Sequence, residues 1–71
     1  MKYAVVFETS KDGFGAYVPD LPGCIAVGET LEEVEGLIQE AIELHIQGLC
    51  EDRIDVPPPS TRCEYVEAGG G

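Results

Sequence analysis

The chain has few basic residues, and this scarcity limits what it can bind. It carries 4 Lys and Arg residues against 14 Asp and Glu residues, for a formal net charge of −10 at pH 7. Lysine and arginine neutralise the phosphates in most nucleic-acid complexes, so direct nucleic-acid binding by this chain is not expected. A basic protein partner is one interpretation of this charge, because oppositely charged surfaces attract each other. The alternative is that the acidic residues serve only solubility.

Disulfides, metal centres and membrane spans are also disfavoured by what is missing. The three cysteines form no C-x-x-C motif, and an odd number without a signal peptide favours a reducing, cytoplasmic compartment. We expect all three to be small buried or half-buried apolar side chains. No zinc-ligand spacing accompanies the single histidine, His45, and no apolar run approaches the ~20 residues of a membrane span. The sequence therefore predicts no cofactor and no metal.

The length of 71 residues indicates one small domain. We expect residues 1–67 to form that domain and residues 68–71 to be a flexible tail. A domain of this size without disulfides or a metal commonly needs a partner subunit for stability. A homodimer or a higher oligomer is therefore expected.

The hydrophobic pattern predicts an α+β domain with the order β-β-β-α-β, in which one helix packs on a largely antiparallel sheet. Alternating apolar residues predict a first strand over 2–9, and we expect it to be central because both of its faces are mostly apolar. A turn ending at Gly13 joins it to an antiparallel second strand over 14–18. A short third strand is predicted over 24–27, and the alternation over 61–66 predicts a fourth.

A capping motif predicts where the helix begins. Thr30 and Glu33 fit the S/T-x-x-E capping box, and the helix is expected to run to about Leu49. Its apolar residues cover an arc of roughly 200°, wider than a helix on a single sheet requires. The surplus predicts an interface between subunits on this helix. The residues expected in that interface are Leu31, Ile38, Ile42, His45, Ile46 and Leu49.

The segment V-P-D-L-P-G-C over 18–24 is more specific than any other motif in the chain. Pro19 and Pro22 each fix φ and remove a backbone donor, which predicts a rigid turn beside the start of the helix. Two interpretations of the turn are compatible with each other: a stiff crossover between strands, and a rigid ledge for binding a partner. The residues predicted to contact a partner are Asp20, Leu21, Pro22, Glu29, Glu32 and Glu33.

A carboxylate metal site is the catalytic alternative. Two-metal nucleases hold several carboxylates around divalent ions, and the candidates here are Glu8, Glu33, Glu40 and Glu64. The helix glutamates lie on the polar face, directed away from the sheet, where solvation is the simpler expectation. We therefore predict no catalytic residue, and a metal-dependent nuclease using Glu8 and Glu64 stands only as an alternative.

The turn over 18–24, together with the helix start Gly28-Glu29-Thr30 and Glu32-Glu33, resembles the HicB-like antitoxin family. The resemblance covers most of the chain. It implies a partial, degenerate ribonuclease-H-like domain that is not an enzyme. It also implies a partner, the HicA toxin, a small basic ribonuclease that cleaves mRNA and that the antitoxin binds and blocks. Family members are commonly dimers or larger.

The sequence departs from the family pattern at its C-terminal end. Full antitoxins of the family carry a C-terminal DNA-binding domain, and this sequence is expected to be a short member that lacks it. Operator binding is therefore not predicted. The alternative within the same family is an orphan oligomeric module without a toxin.

Overall fold

The computed structural model describes residues 1–69, which form three strands followed by one helix. The elements are β1 (Val6–Ser10), β2 (Gly13–Tyr17), β3 (Ile25–Gly28) and α1 (Leu31–Glu51). The predicted α+β class is confirmed. Three antiparallel strands and a helix do not by themselves define a ribonuclease-H-like domain, so that assignment stays a prediction. Residues 70 and 71 of the predicted tail lie outside the described residues.

The strands pair antiparallel in the order β1-β2-β3, so β2 is the central strand. The prediction that the first strand is central is wrong. Each of the two short connections joins neighbours in the sheet, which places the middle strand of the sequence between the other two. The strand also begins later than predicted. Val6 pairs with Tyr17, the last residue of β2, so residues 1–5 lie beyond the end of β2 and have no strand beside them there.

The core lies between α1 and one face of the sheet. Among the described elements, α1 contacts β2 and β3 but not β1. Tyr3 and Val5, which precede β1, are partly buried against this core. The fully enclosed core residues are Ala16, Val18, Leu21, Cys24, Val34 and Ile38.

Both ends of α1 are capped. The Glu33 amide donates to Thr30 Oγ1 at 3.1 Å, which confirms the predicted N-cap. At the other end the Ile54 amide donates to the Leu49 carbonyl oxygen, and the Arg53 amide donates to that of Cys50. Arg53 has φ of +58°, so this end is a Schellman motif with arginine in the position that glycine usually takes. The motif carries the helix to Glu51, two residues past the predicted end.

The predicted fourth strand over 61–66 is not formed within the described residues. A strand needs a neighbouring edge to pair with, and residues 61–69 are all exposed. The chain returns to the body before this point, because the Tyr3 hydroxyl donates to the Pro57 carbonyl oxygen at 2.6 Å. Ser60 and Thr61 then donate hydrogen bonds to the Asp20 carboxylate, and the chain leaves the sheet after them. The alternating pattern in this segment is compatible with a strand, but within residues 1–69 the segment does not pair with an edge strand of the sheet.

The cysteines differ from one another. Cys24 is buried in the core as expected, and burial raises the pKa of its thiol. The prediction that Cys50 and Cys63 are buried or half-buried is wrong, because both are exposed. Cys50 lies in the last turn of α1, where the helix faces solvent, and Cys63 lies in the exposed segment after Thr61.

Candidate partner-binding surface

The V-P-D-L-P-G-C segment folds as two consecutive hydrogen-bonded turns. The Leu21 amide donates to the Val18 carbonyl oxygen at 3.0 Å, and the Cys24 amide donates to that of Leu21 at 3.0 Å. A third bond, from the Val18 amide to the Cys24 carbonyl oxygen at 3.2 Å, closes the loop. Gly23 has φ of +86°, which suits the third position of a type II turn that follows Pro22. Three backbone hydrogen bonds therefore hold the turn in addition to the two prolines from which its rigidity was predicted.

Asp20 projects from the first of these turns and ties down the C-terminal part of the chain. Its carboxylate accepts from the Ser60 and Thr61 amides at 3.0 and 2.9 Å, and from their hydroxyls at 3.1 and 2.7 Å. The bonds from Thr61, followed by those from Ser60, lower the pKa of Asp20 below its ordinary value of 3.8. This contact joins residues 40 positions apart, and no local pattern signals it.

Of the three turn residues predicted to bind a partner, two have their side chains engaged within the chain and one is exposed. Leu21 is 0% exposed and its side chain is part of the core. Both carboxylate oxygens of Asp20 are occupied within the chain. Pro22 is exposed and is the one of the three whose side chain is free to touch another molecule.

Replacing Asp20 with asparagine should release the segment that it holds. The amide group of asparagine keeps one acceptor oxygen and presents a donor in place of the other, which leaves part of the Ser60 and Thr61 donors without partners. We expect the amide chemical shifts of Ser60 and Thr61 in NMR spectra of Asp20→Asn to move toward random-coil values. Asp55→Asn, a change of the same kind at an exposed carboxylate, should leave them in place.

The same contact should loosen in acid. The folded-state pKa of Asp20 lies below the ordinary value of 3.8, so the stabilisation is complete above that pH. It is lost as the pH falls below 3.8 through the folded-state pKa. Shifts of Ser60 and Thr61 that stay unchanged both in Asp20→Asn and in acid would contradict the assigned role.

The acidic residues at the start of α1 are exposed, and one of them, Glu33, lies close to Gly28. Glu29, Glu32 and Glu33 are all exposed. A Cβ added at Gly28 would lie 3.0 Å from Glu33 Oε1 and 3.0 Å from Val34 Cγ2, so the absence of a side chain at Gly28 makes room for both. Glycine at position 28 therefore allows the first turn of α1 to pack closely against the end of β3.

Glu29 also borders a cleft of about 510 Å³ on the face of the sheet turned away from α1. Gly15 pairs with Glu8 on one side and with Val27 on the other, and these three residues share that face because directly paired residues point the same way. The missing side chain of Gly15 leaves the floor of the cleft open. The lining residues are Glu8, Thr9, Ser10, Asp12, Gly13, Phe14, Gly15, Val27, Gly28 and Glu29.

The same face of the sheet carries exposed apolar side chains, and we call it the outer face. It is defined by Val6 and Glu8 of β1, Gly15 and Tyr17 of β2, and Ile25 and Val27 of β3. Ile25 and Val27 are 65% and 73% exposed. This surface was not among the sites predicted from the sequence. The signal was present, since Cys24, Ile25, Ala26 and Val27 are apolar on both sides of a strand, a pattern typical of strands covered on both faces.

The predicted oligomer interface on α1 is partly used within the chain. Ile38 is buried in the core, and Ile42 and Ile46 pack against it. His45 and Leu49 are half-buried, and Leu31 is exposed. The helix also exposes Leu37 and Leu44, which extend the available apolar surface. A role of these residues between subunits stays a prediction.

The carboxylates proposed for a metal site do not come together. Among residues 1–69, no group of three or more His, Cys, Asp or Glu side chains is arranged to hold a metal ion. Glu64 instead pairs with Arg62 at 3.1 Å in the exposed segment. No helix in the described part of the chain is long and apolar enough to cross a bilayer.

A sequence model described as the HicB-like antitoxin of bacterial toxin–antitoxin systems matches residues 3–69. An uncharacterised 14.9 kDa protein of Haemophilus phage HP1 is 38% identical over 66 residues, which cover 93% of this chain and 50% of that protein. Antitoxin HicB 2 of Photorhabdus laumondii is 37% identical over 68 residues, which cover 94% of this chain and 49% of that protein. This chain thus spans about half the length of these relatives.

A solved structure is also similar. A chain in a structure titled as the HicA3 and HicB3 toxin–antitoxin complex superposes with a TM-score of 0.71 and 30% sequence identity. The match covers 83% of this chain and 70% of that one.

Proposed function

This chain belongs to the HicB-like antitoxin family, and on that premise we propose that it is a non-catalytic module that binds and blocks a small, basic, mRNA-cleaving toxin of the HicA type. The proposed action is steric, because the chain would cover the toxin's active site.

The observation that carries this proposal is the likeness to a chain in a toxin–antitoxin complex. It extends over 83% of this chain at 30% identity, so most of the body described above has a counterpart in that structure. The proposed partner class, a HicA-like toxin, rests on this likeness, and the proposed contact residues rest on this chain's own exposed surface.

The charge distribution supports a basic partner. Every Asp and Glu residue is exposed except Asp20, which is half-buried, so nearly all of the net charge of −10 faces solvent. Such a surface speeds association with a basic protein and disfavours contact with acidic ones. Of the predicted contact residues, Glu29, Glu32, Glu33 and Pro22 are exposed and stay part of the proposal.

Self-association is proposed alongside toxin binding. His45 and Leu49 are half-buried and Leu31, Leu37 and Leu44 are exposed, which leaves apolar surface on α1 for a second subunit. Light scattering on the purified chain should give the mass of a dimer or a larger assembly. An assembly that binds no toxin would instead favour the orphan oligomeric module.

The proposal is tested by titrating the chain with the HicA-like toxin encoded in the same genome, using isothermal calorimetry. We expect a dissociation constant of about 1 µM or tighter, with affinity that weakens as salt is raised because the attraction is electrostatic. A genome that encodes no small basic HicA-like protein, or a toxin that gives no binding heat, would contradict the proposal.

A further inference from the structure

We propose that the outer face of the sheet is the surface that receives the basic partner, with a lysine or arginine side chain of that partner seated in the cleft above Gly15. This inference rests on the proposed function and specifies where the contact is made.

The apolar half of the outer face is continuous across the sheet. Val6, Tyr17 and Ile25 stand side by side, because Tyr17 pairs with Val6 on one strand and with Ile25 on the other. Val27 lies two residues further along β3 on the same face and is 73% exposed. A contiguous apolar patch that stays uncovered is typical of an interaction site in a small protein. Covering these side chains would contribute about 25 cal/mol for each Å² removed from water.

The other half of the outer face is acidic and concave. The lining of the cleft of about 510 Å³ includes three acidic residues, Glu8, Asp12 and Glu29, together with Gly13 and Gly15. Its three carboxylates come from three different segments: β1, the hairpin turn and the connection into α1. An extended cationic side chain suits such a cleft, since its aliphatic stem can lie against Val27 while its charged end meets the carboxylates.

The charge decides between a basic partner and a second copy of this chain. A two-fold interface on the outer face would bury this face of both copies at once, with two sets of Glu8, Asp12 and Glu29 in or beside one interface. The outer face contributes no basic residue that could neutralise them, and uncompensated like charges within one interface are destabilising. A basic partner instead neutralises the border of the cleft while its apolar surface covers Tyr17, Ile25 and Val27.

The outer face alone is smaller than a typical interface. Strands about 4.8 Å apart and about 17 Å long give three strands far less than the roughly 800 Å² that each partner commonly contributes. The contact must therefore extend past the edges of the sheet. Glu29 continues it toward the helix start and Pro22 toward the turn, which would join these predicted residues to the outer face.

The test uses two substitutions on the outer face, each with a matched control elsewhere on the surface. Gly15→Arg fills the cleft with the chain's own cation. The sheet should accept it, because a Cβ at Gly15 would lie 3.7 Å from the Ala26 carbonyl oxygen and 3.8 Å from Val27 Cγ1. Gly36→Arg makes the same change of charge on the exposed helix, where an added Cβ meets nothing within 4 Å.

The second pair probes the apolar half. Ile25→Asp places a carboxylate on the outer face, and Val66→Asp does so in the exposed C-terminal segment, where the side chains are 65% and 84% exposed respectively. All four variants are first checked for folding by circular dichroism. Each is then titrated with the HicA-like toxin of the same genome by calorimetry, and its mass is measured by light scattering.

We expect Gly15→Arg and Ile25→Asp each to weaken toxin binding by about tenfold or more, and the two controls to change it by less than about twofold. Outer-face variants that bind like wild type, while wild type itself binds, would overturn this inference and leave the proposed function intact. Outer-face variants that lose a dimer together with the toxin would also overturn it, since the face would then join two copies. A wild-type chain that binds no toxin would overturn the proposed function as well.

Discussion

Leu21→Ala should lower the free energy of unfolding by about 3 kcal/mol, the largest effect expected from truncating any side chain of the turn. Leu21 is 0% exposed, and both its amide and its carbonyl oxygen are fixed in the two successive turns. Because the backbone there is held in place, the core cannot readily collapse into the cavity that the truncation leaves. For a domain of this size a loss of about 3 kcal/mol lowers Tm by roughly 10–25 °C.

The matched control is Val66→Ala, a truncation to the same residue at an aliphatic side chain that is 84% exposed. It should change the free energy of unfolding by no more than about 0.5 kcal/mol. Urea denaturation followed by circular dichroism measures both variants. Equal losses in the two variants would show that Leu21 does not support the core as described.

Gly13→Ala should destabilise the domain by about 3 kcal/mol or more, in the upper part of the range for single substitutions. A Cβ at Gly13 would overlap the carbonyl oxygen of Gly28 and lie 3.3 Å from the Glu29 Cα atom. These are backbone atoms of the connection from β3 into α1, and they cannot move aside as the end of a flexible side chain can. The hairpin turn and the helix start would be forced apart.

Gly36→Ala is the control that should act in the opposite direction. Gly36 lies inside α1 and an added Cβ there meets nothing within 4 Å, so alanine should raise the free energy of unfolding by about 1 kcal/mol. The pair is compared by chemical denaturation under identical conditions. A Gly13→Ala variant as stable as wild type would contradict the close approach between Gly13 and Gly28.

The features that could be predicted from sequence are those set by neighbouring residues. Thr30 and Glu33 lie three residues apart and cap the helix through a local hydrogen bond. The two prolines and Gly23 favour the two turns over 18–24 without help from the rest of the fold. The hairpin between β1 and β2 likewise follows from a short connection that ends at Gly13.

The features that sequence reasoning missed depend on distant residues. The alternation over 61–66 shows that a strand is compatible with those residues, but pairing requires a free edge in reach. Asp20 instead holds Ser60 and Thr61, and the chain then leaves the sheet. The central position of β2, like the burial of Leu21, follows from how the strands pair rather than from the pattern of any one strand.

The candidate site was predictable only in part, for the same reason. The acidic residues of the helix start were found because the capping motif marks them. The outer face was not, since it appears only when Val6, Tyr17 and Ile25 are aligned by strand register. Gly15 has no side chain, so no residue pattern indicates a cleft at this position. The cleft exists because the neighbours of Gly15 across the sheet are larger.

A ribonuclease assay measures whether this chain blocks a toxin. The HicA-like toxin of the same genome is incubated with mRNA, and increasing amounts of this chain are added. We expect cleavage to fall to background once the chain is in molar excess over the toxin. Cleavage that continues unchanged at a large excess of folded chain would contradict the proposed function.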